Sequence, residues 1–353
     1  NTLIGYNAGT AITTGDQNTC LGFEAGKSIS TAARLTAIGR KAGTLVTGQN
    51  NTILGANTGT SLTSGTGNTF LGVGAGATYT TQSGIVAIGY LAGYGTAHRL
   101  TAIGYQAGGS SSHSGTDSTF VGYKAGESTT SGPNDTALGS HALNANTTGN
   151  GNVCIGKDAG KANTTGSYSV YIGVTAGHNI TTASHNVGVG YNALGNVFAG
   201  TNNVAVGRSA GASFGSATYS VAIGPYAGAN ESMNGCTNNI LIGHNAERSA
   251  AGVDNEITLG DTNIAKFRIP GINFTVKDTT ATEDYVLTVD ANGEAGWEAA
   301  GGGAKQGVFY ENSQTLSSNY TVTNGSNAMA AGPITIASGV TVTVGADETL
   351  TIV

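Results

Sequence analysis

The chain has 353 residues, enough for two or three domains, with 58 Gly, 10% charged residues and a net charge of −6. Gly far exceeds the usual ~7% and charge falls far below the usual ~25%; the lack of a Gly triplet period excludes collagen, and 39% hydrophobic residues at regular places argue against a disordered chain. No basic stripe marks a nucleic-acid binder, and no apolar run approaches the ~20 residues of a membrane span.

The first 260 residues are built on a repeat. The Gly of Thr2-Leu3-Ile4-Gly5 returns at Gly22, Gly39, Gly55, Gly72, Gly89, Gly104, Gly122, Gly139, Gly156, Gly173, Gly190, Gly207, Gly224, Gly243 and Gly260, and 11 of the 15 intervals are 17 residues. With this Gly as position zero, −1 is Ile, Leu or Val and −3 is Thr, Val or Ile in all sixteen units. Position +3 is Ala in fourteen, +4 is Gly in twelve and −4 is Asn in eight. Positions −3 and −1 share one face of a short strand because side chains alternate, and β-branched residues there predict a buried pleated face. Gly at zero allows a bend or a close backbone approach, Ala at +3 fills a narrow space, and Gly at +4 turns the chain. The Thr/Ser/Gly/Asn stretch that follows is turn chemistry, and stacked Asn side chains at −4 predict a hydrogen-bond ladder.

Seventeen residues bury no core alone, so the units must stack. The predicted fold is all-β: a parallel β-solenoid of sixteen coils with about two strands per coil, forming a rod roughly 75 Å long at ~4.8 Å per coil. Position −2 points away from −3 and −1 yet is also apolar, as in Ile53, Phe70, Phe120, Tyr171 and Leu241. Self-association through this second face explains it; a flattened coil with both faces internal is the alternative. Cys20 and Cys154 share position −2 eight repeats apart, roughly 38 Å, too far for a bond to each other. With Cys236 they make no disulfide framework. Asn1 falls in mid-register, which suggests an upstream segment.

The repeat breaks after Gly260. Residues 261–303 read as a capping junction that ends in a flexible Gly301-Gly-Gly303 linker, with a turn at Asp290-Ala-Asn-Gly293; Trp297, the single Trp, is the candidate cap on the solenoid core. Residues 304–353 read as a small C-terminal β domain, with alternating strands over Thr335–Val344 and Thr349–Val353. Fifty residues form a poor core, which trimerisation would remedy. The net negative charge lies here: residues 261–353 carry 4 Lys/Arg and 10 Asp/Glu, against 10 and 10 in residues 1–260.

The chain has no His-Glu-x-x-His, Walker, Ser-elbow or Cys-x-x-Cys motif. The six histidines (98, 113, 141, 178, 185, 244) read as solvated turn residues. Asp16, Glu24, Asp117, Glu127 and Asp158 are scattered singly rather than paired as glycan cleavage needs, and Asp278, Glu283 and Asp284 read as a solvated acidic face. Tyr6, Phe23, Tyr90, Tyr105, Tyr123 and Tyr191 recur at +1 and are expected to pack under the turns, with sugar stacking as the alternative. Asn-x-Ser/Thr sequons, Asn146 and Asn163 among them, are attributed to composition. The regular Thr at −3, placed on the buried face, argues against an ice-binding surface. No catalytic, cofactor or metal residue is assigned, and an enzyme is not expected.

The unit Asn68-Thr-Phe-Leu-Gly72-Val-Gly-Ala75-Gly76, repeated as Asn203-Val-Ala-Val-Gly207-Arg-Ser-Ala210-Gly211, resembles the head repeat of trimeric autotransporter adhesins, left-handed parallel β-rolls in which three chains pack side by side; their usual repeat is shorter, at about 14 residues. The longer unit here and three later segments, Leu259–Gly271, Tyr285–Trp297 and Gly332–Val353, look more like tail-fibre proteins of phages that infect marine cyanobacteria. That resemblance implies a homotrimeric virion fibre, located on the particle surface. Its partners would be an upstream virion component and, through the distal end, a host surface receptor such as a glycan. A fragment of a bacterial autotransporter-type surface adhesin is the alternative. Nucleic acid, membrane insertion and a cofactor are not expected; the adhesin alternative needs a C-terminal membrane barrel after a coiled-coil stalk, and neither is recognised in this sequence.

Overall fold

The computed structural model describes residues 1–109, 113–230, 232–264, 285–289, 295–299, 314–322 and 325–353. The chain divides into two compact units, Asn1–Phe267 and Arg268–Val353. The first is a parallel β-solenoid. Sixteen three-residue strands, from β1 (Thr2–Ile4) through β5 (Thr69–Leu71) to β16 (Ile257–Leu259), each occupy positions −3 to −1 and form one parallel sheet in strict chain order. Register is fixed by the repeat: Thr2 opposes Thr19, Leu3 opposes Cys20 and Ile4 opposes Leu21. One strand forms per coil instead of the expected two. The rest of each coil stacks as turns that still hydrogen-bond rung to rung, as when Glu24 N donates to Tyr6 O (2.8 Å) and Gly26 N donates to Ala42 O (2.9 Å).

The Gly at zero is required by geometry. From Gly5 to Gly243 its φ lies between 126° and 143°, a region essentially reserved for Gly. A Cβ on Gly22 would sit 2.6 Å from the carbonyl oxygen of Gly39 in the next rung. The Asn at −4 ties rungs together in another way. Asn18 Oδ1 accepts from Leu35 N (3.0 Å) in the next rung, while Asn18 Nδ2 donates to Ala32 O (2.8 Å) near the end of its own coil. Asn51, Asn68, Asn152, Asn186 and Asn203 repeat the pattern. The ladder therefore runs from side chain to backbone, and it satisfies buried groups that would otherwise be costly.

The two faces of the strand are reversed from expectation. Position −2 points into the chain's own core: Cys20, Ile53, Phe70, Phe120, Tyr171 and Leu241 are fully buried. They pack against the Ala column at +3 and against +7 residues such as Ile29, Leu62, Tyr79 and Phe214. Positions −3 and −1 face outward. The assignment of −2 to an interchain surface is thus wrong, and so is the assignment of −3 and −1 to the interior. The reason is packing volume. A core only one chain wide has to balance large against small residues from rung to rung. Position −2 does so, with Phe120 between Ala102 and Ala137 and Tyr171 beside Gly188. Position −3 instead holds a β-branched residue and position −1 an Ile, Leu or Val in every rung.

In the second unit, β17 (Tyr285–Val289) and β18 (Ala295–Ala299) form an antiparallel pair in which Trp297 opposes Leu287; the Trp297 side chain, and with it the cap assignment, lies outside the described residues. Most of the expected junction 261–303 lies outside them as well. Further on, β19 (Thr315–Leu316), β20 (Tyr320–Thr321) and β21 (Asn327–Ala330) pair in parallel with β22 (Thr335–Ile336), β23 (Val342–Thr343) and β24 (Thr349–Ile352). This is two stacked rungs of three short strands. Thr335–Val344 is not one strand, because the chain turns at Gly339 (φ 83°).

Candidate functional site

The outer face of the sheet is the most extensive surface the repeat builds. Each rung contributes one aliphatic side chain at −1 and one Thr, Val or Ile at −3. Leu21, Leu54, Leu71, Leu138, Ile172, Val206, Ile223 and Ile242 are each between 36% and 46% exposed, an unusual density of exposed aliphatics for one plane. The face changes along its length. Position −3 is Thr in eight of the first nine rungs, Thr2 to Thr136 with Val86 the exception, and Val or Ile in the last seven. The Thr rank is therefore on the outer surface, not inside as expected, and the later rungs are the more apolar.

Beside this face runs an edge formed by +1, +2 and +5. Its aromatic residues do not pack under the turns. Tyr6 and Phe23 stack at 5.3 Å, Tyr90 and Tyr105 at 5.1 Å, and Tyr105 and Tyr123 at 5.3 Å, with planes within 15°. All five remain more than 40% exposed. Because the rings cover one another's faces, most of what they offer outward is edge and hydroxyl. The acids of this edge pair with bases, not with one another: Glu24 with Lys27 (2.8 Å), Glu127 with Lys124 (2.9 Å), and Asp158 with Lys157 (2.7 Å) and Lys161 (3.1 Å). Asp117 pairs with Arg99 elsewhere, and Asp16 is exposed. Among the described residues no three His, Cys, Asp or Glu side chains cluster as metal ligands. Asp278, Glu283 and Asp284 lie outside the described residues.

The interior turns polar in its middle rungs. Asp135 takes the ladder position of Asn; it is fully buried and accepts from Asn152 N (2.8 Å) and Asn146 Nδ2 (2.9 Å). Burial pushes its carboxyl up to about 7, against hydrogen bonds that pull it down. His113 is not a solvated turn residue. The unit from Gly104 to Gly122 is one residue longer than the norm, and His113 lies fully buried 5.7 Å from Phe120, neither ring nitrogen hydrogen-bonded. Burial lowers it to about 4. The other five histidines are partly or fully exposed. Cys20, Cys154 and Cys236 are buried free thiols, and burial pushes Cys20 up to about 11. Asn146 and Asn163 are core residues, which closes those two sequons to modification.

In the second unit an apolar cavity of about 260 Å³ is lined by Leu316, Ala328, Ile336, Val342 and Leu350, among others. The two rungs bury Val322 but leave Tyr320, Met329 and Ile352 exposed. Among the described residues no helix is long and apolar enough to cross a membrane. The class the fold defines is a β-solenoid repeat protein. No known family, curated protein or solved structure matches the chain.

Proposed function

We propose that the chain is one strand of a non-catalytic, homotrimeric β-fibre in which the outer sheet faces of three solenoids meet around a common axis. The observation that carries this reading is the continuous apolar outer face. Sixteen rungs at ~4.8 Å and strands ~10 Å long give roughly 750 Å² per chain, close to the ~800 Å² per partner of a stable protein interface. A face this size and this aliphatic is an aggregation hazard unless covered. Identical copies cover it in register, because every rung repeats the same two side-chain ranks.

The resemblance of the later segments to tail-fibre proteins extends the proposal to a virion appendage. It would be attached through an upstream virion component and would contact a host surface receptor through its distal end. Light scattering on the full chain tests the assembly: a mass of three chains is expected, reduced to one by Leu138→Asp with Ile172→Asp. A wild-type monomer would overturn the proposal. A monomer that also produced freezing hysteresis would assign the outward Thr rank to ice binding instead.

A further inference from the structure

Charge in the solenoid is segregated in a way that its even total conceals. Of the 10 Lys/Arg and 10 Asp/Glu in residues 1–260, the edge at +1, +2 and +5 holds eight bases, of which Arg248 is buried, and three acids, leaving two bases and seven acids for all other positions. The edge is thus +5, or +4 without the buried Arg248, and the remainder −5. Ion pairs that link +1 to +2 and +2 to +5 make these columns one contiguous surface. Three groups carry the excess. Lys27, Arg40 and Lys41 surround the single Glu24, Lys157 and Lys161 share the single Asp158, and Arg208 lies 5.1 Å over the ring of Tyr226. Between the first two groups stands the Tyr90–Tyr105–Tyr123 stack, ring edges and hydroxyls outward.

We propose that this edge binds an acidic polysaccharide lying along the rungs, with carboxylates or sulfate esters at the basic groups and sugar hydroxyls against the tyrosine column. The inference rests on the attachment reading above but places contact on the shaft as well as on the distal end. Spacing favours a sugar polymer over nucleic acid. Arg40 and Lys157 are seven rungs apart, roughly 34 Å, whereas duplex DNA presents a phosphate charge every ~1.7 Å and is held by a continuous basic surface. The mutually stacked rings also leave few faces on which bases would stack.

The test is binding of the full chain to alginate, dextran sulfate, neutral dextran and duplex DNA at low and high salt, with the assembly mass measured on the same samples. The comparison protein carries Arg40→Gln, Lys41→Gln, Lys157→Gln and Lys161→Gln, all solvent-facing changes. Expected is salt-sensitive binding to alginate or dextran sulfate, which identifies the acidic group, no binding to neutral dextran, and a roughly tenfold loss in the variant at unchanged mass. No binding to either acidic polymer at low salt, or equal binding by the variant, overturns the proposal while the mass reports separately on the fibre. DNA bound as tightly as alginate overturns the polysaccharide assignment.

Discussion

Phe70 and Leu71 are neighbours in β5, both apolar, and they belong to different walls of the solenoid. Phe70 is fully buried and stacks on Tyr79 at 5.7 Å, whereas Leu71 is 40% exposed. The inner wall is held by one chain, and its sizes are adjusted rung by rung. The outer wall keeps an aliphatic residue at −1 and a Thr, Val or Ile at −3 in every rung and has no partner among the described residues. The difference teaches that hydrophobicity marks both walls of a one-sheet coil, and that variation in residue size tells which one is closed.

Four experiments strain or sharpen this contrast. The largest effect is expected next to both walls, at Gly72, where φ is 129° and an added Cβ would lie 2.5 Å from the Gly89 carbonyl oxygen. Backbone cannot yield cheaply there, so Gly72→Ala should cost about 5 kcal/mol in denaturant unfolding. Phe70→Ala empties the inner wall and should cost about 4 kcal/mol with no change in the mass of the assembly.

The inner wall also titrates, in two opposed directions. Asp135 is raised from 3.8 to about 7, so its neutral form suits the fold; its contribution is complete below pH 3.8 and is lost as pH rises to about 7, a change of about 4 kcal/mol at most. His113 is lowered from 6.5 to about 4, so its contribution is complete above pH 6.5 and is lost as pH falls towards 4. Unfolding midpoints of wild type should therefore vary little between pH 4 and 6.5. Asp135→Asn should expose a loss on acidification, and His113→Leu a loss on raising pH. Parallel pH profiles for all three proteins would contradict this placement of the two groups.

The smallest expected change in chain stability is at the outer wall. Leu71→Asp should move unfolding by about 1 kcal/mol or less yet weaken association. The same kind of change at Ile172, among the Val-rich later rungs, should weaken it more than at Ile38, where Thr36 accompanies it. Equal dissociation at both places would mean that the −3 rank takes no part in the contact.

The second unit gives a further contrast in rung number. Sixteen rungs bury a continuous column of side chains. Two rungs leave Met329 76% exposed and an apolar cavity open, as expected when each rung covers only its neighbours.

Coil count, register and solenoid class were legible in the residues alone, because a rung must repeat its Gly bend and its Ala space, and in half the units its Asn tie, near one period. The sequence also held the signal for the inner wall, in the alternation of Phe120 with Ala102 and Ala137, although the regular β-branched and aliphatic residues at −3 and −1 pointed the other way. Which face closes was settled by packing in three dimensions, since both strand faces are apolar and a period of two cannot rank them. Burial of His113 came from the fold alone, because the 18-residue spacing from Gly104 to Gly122 marks an insertion without saying which turn residue it directs inward. The fold also revealed that bases at +1, +2 and +5, separated in sequence by whole repeats, stand on one edge, since stacking converts period into proximity.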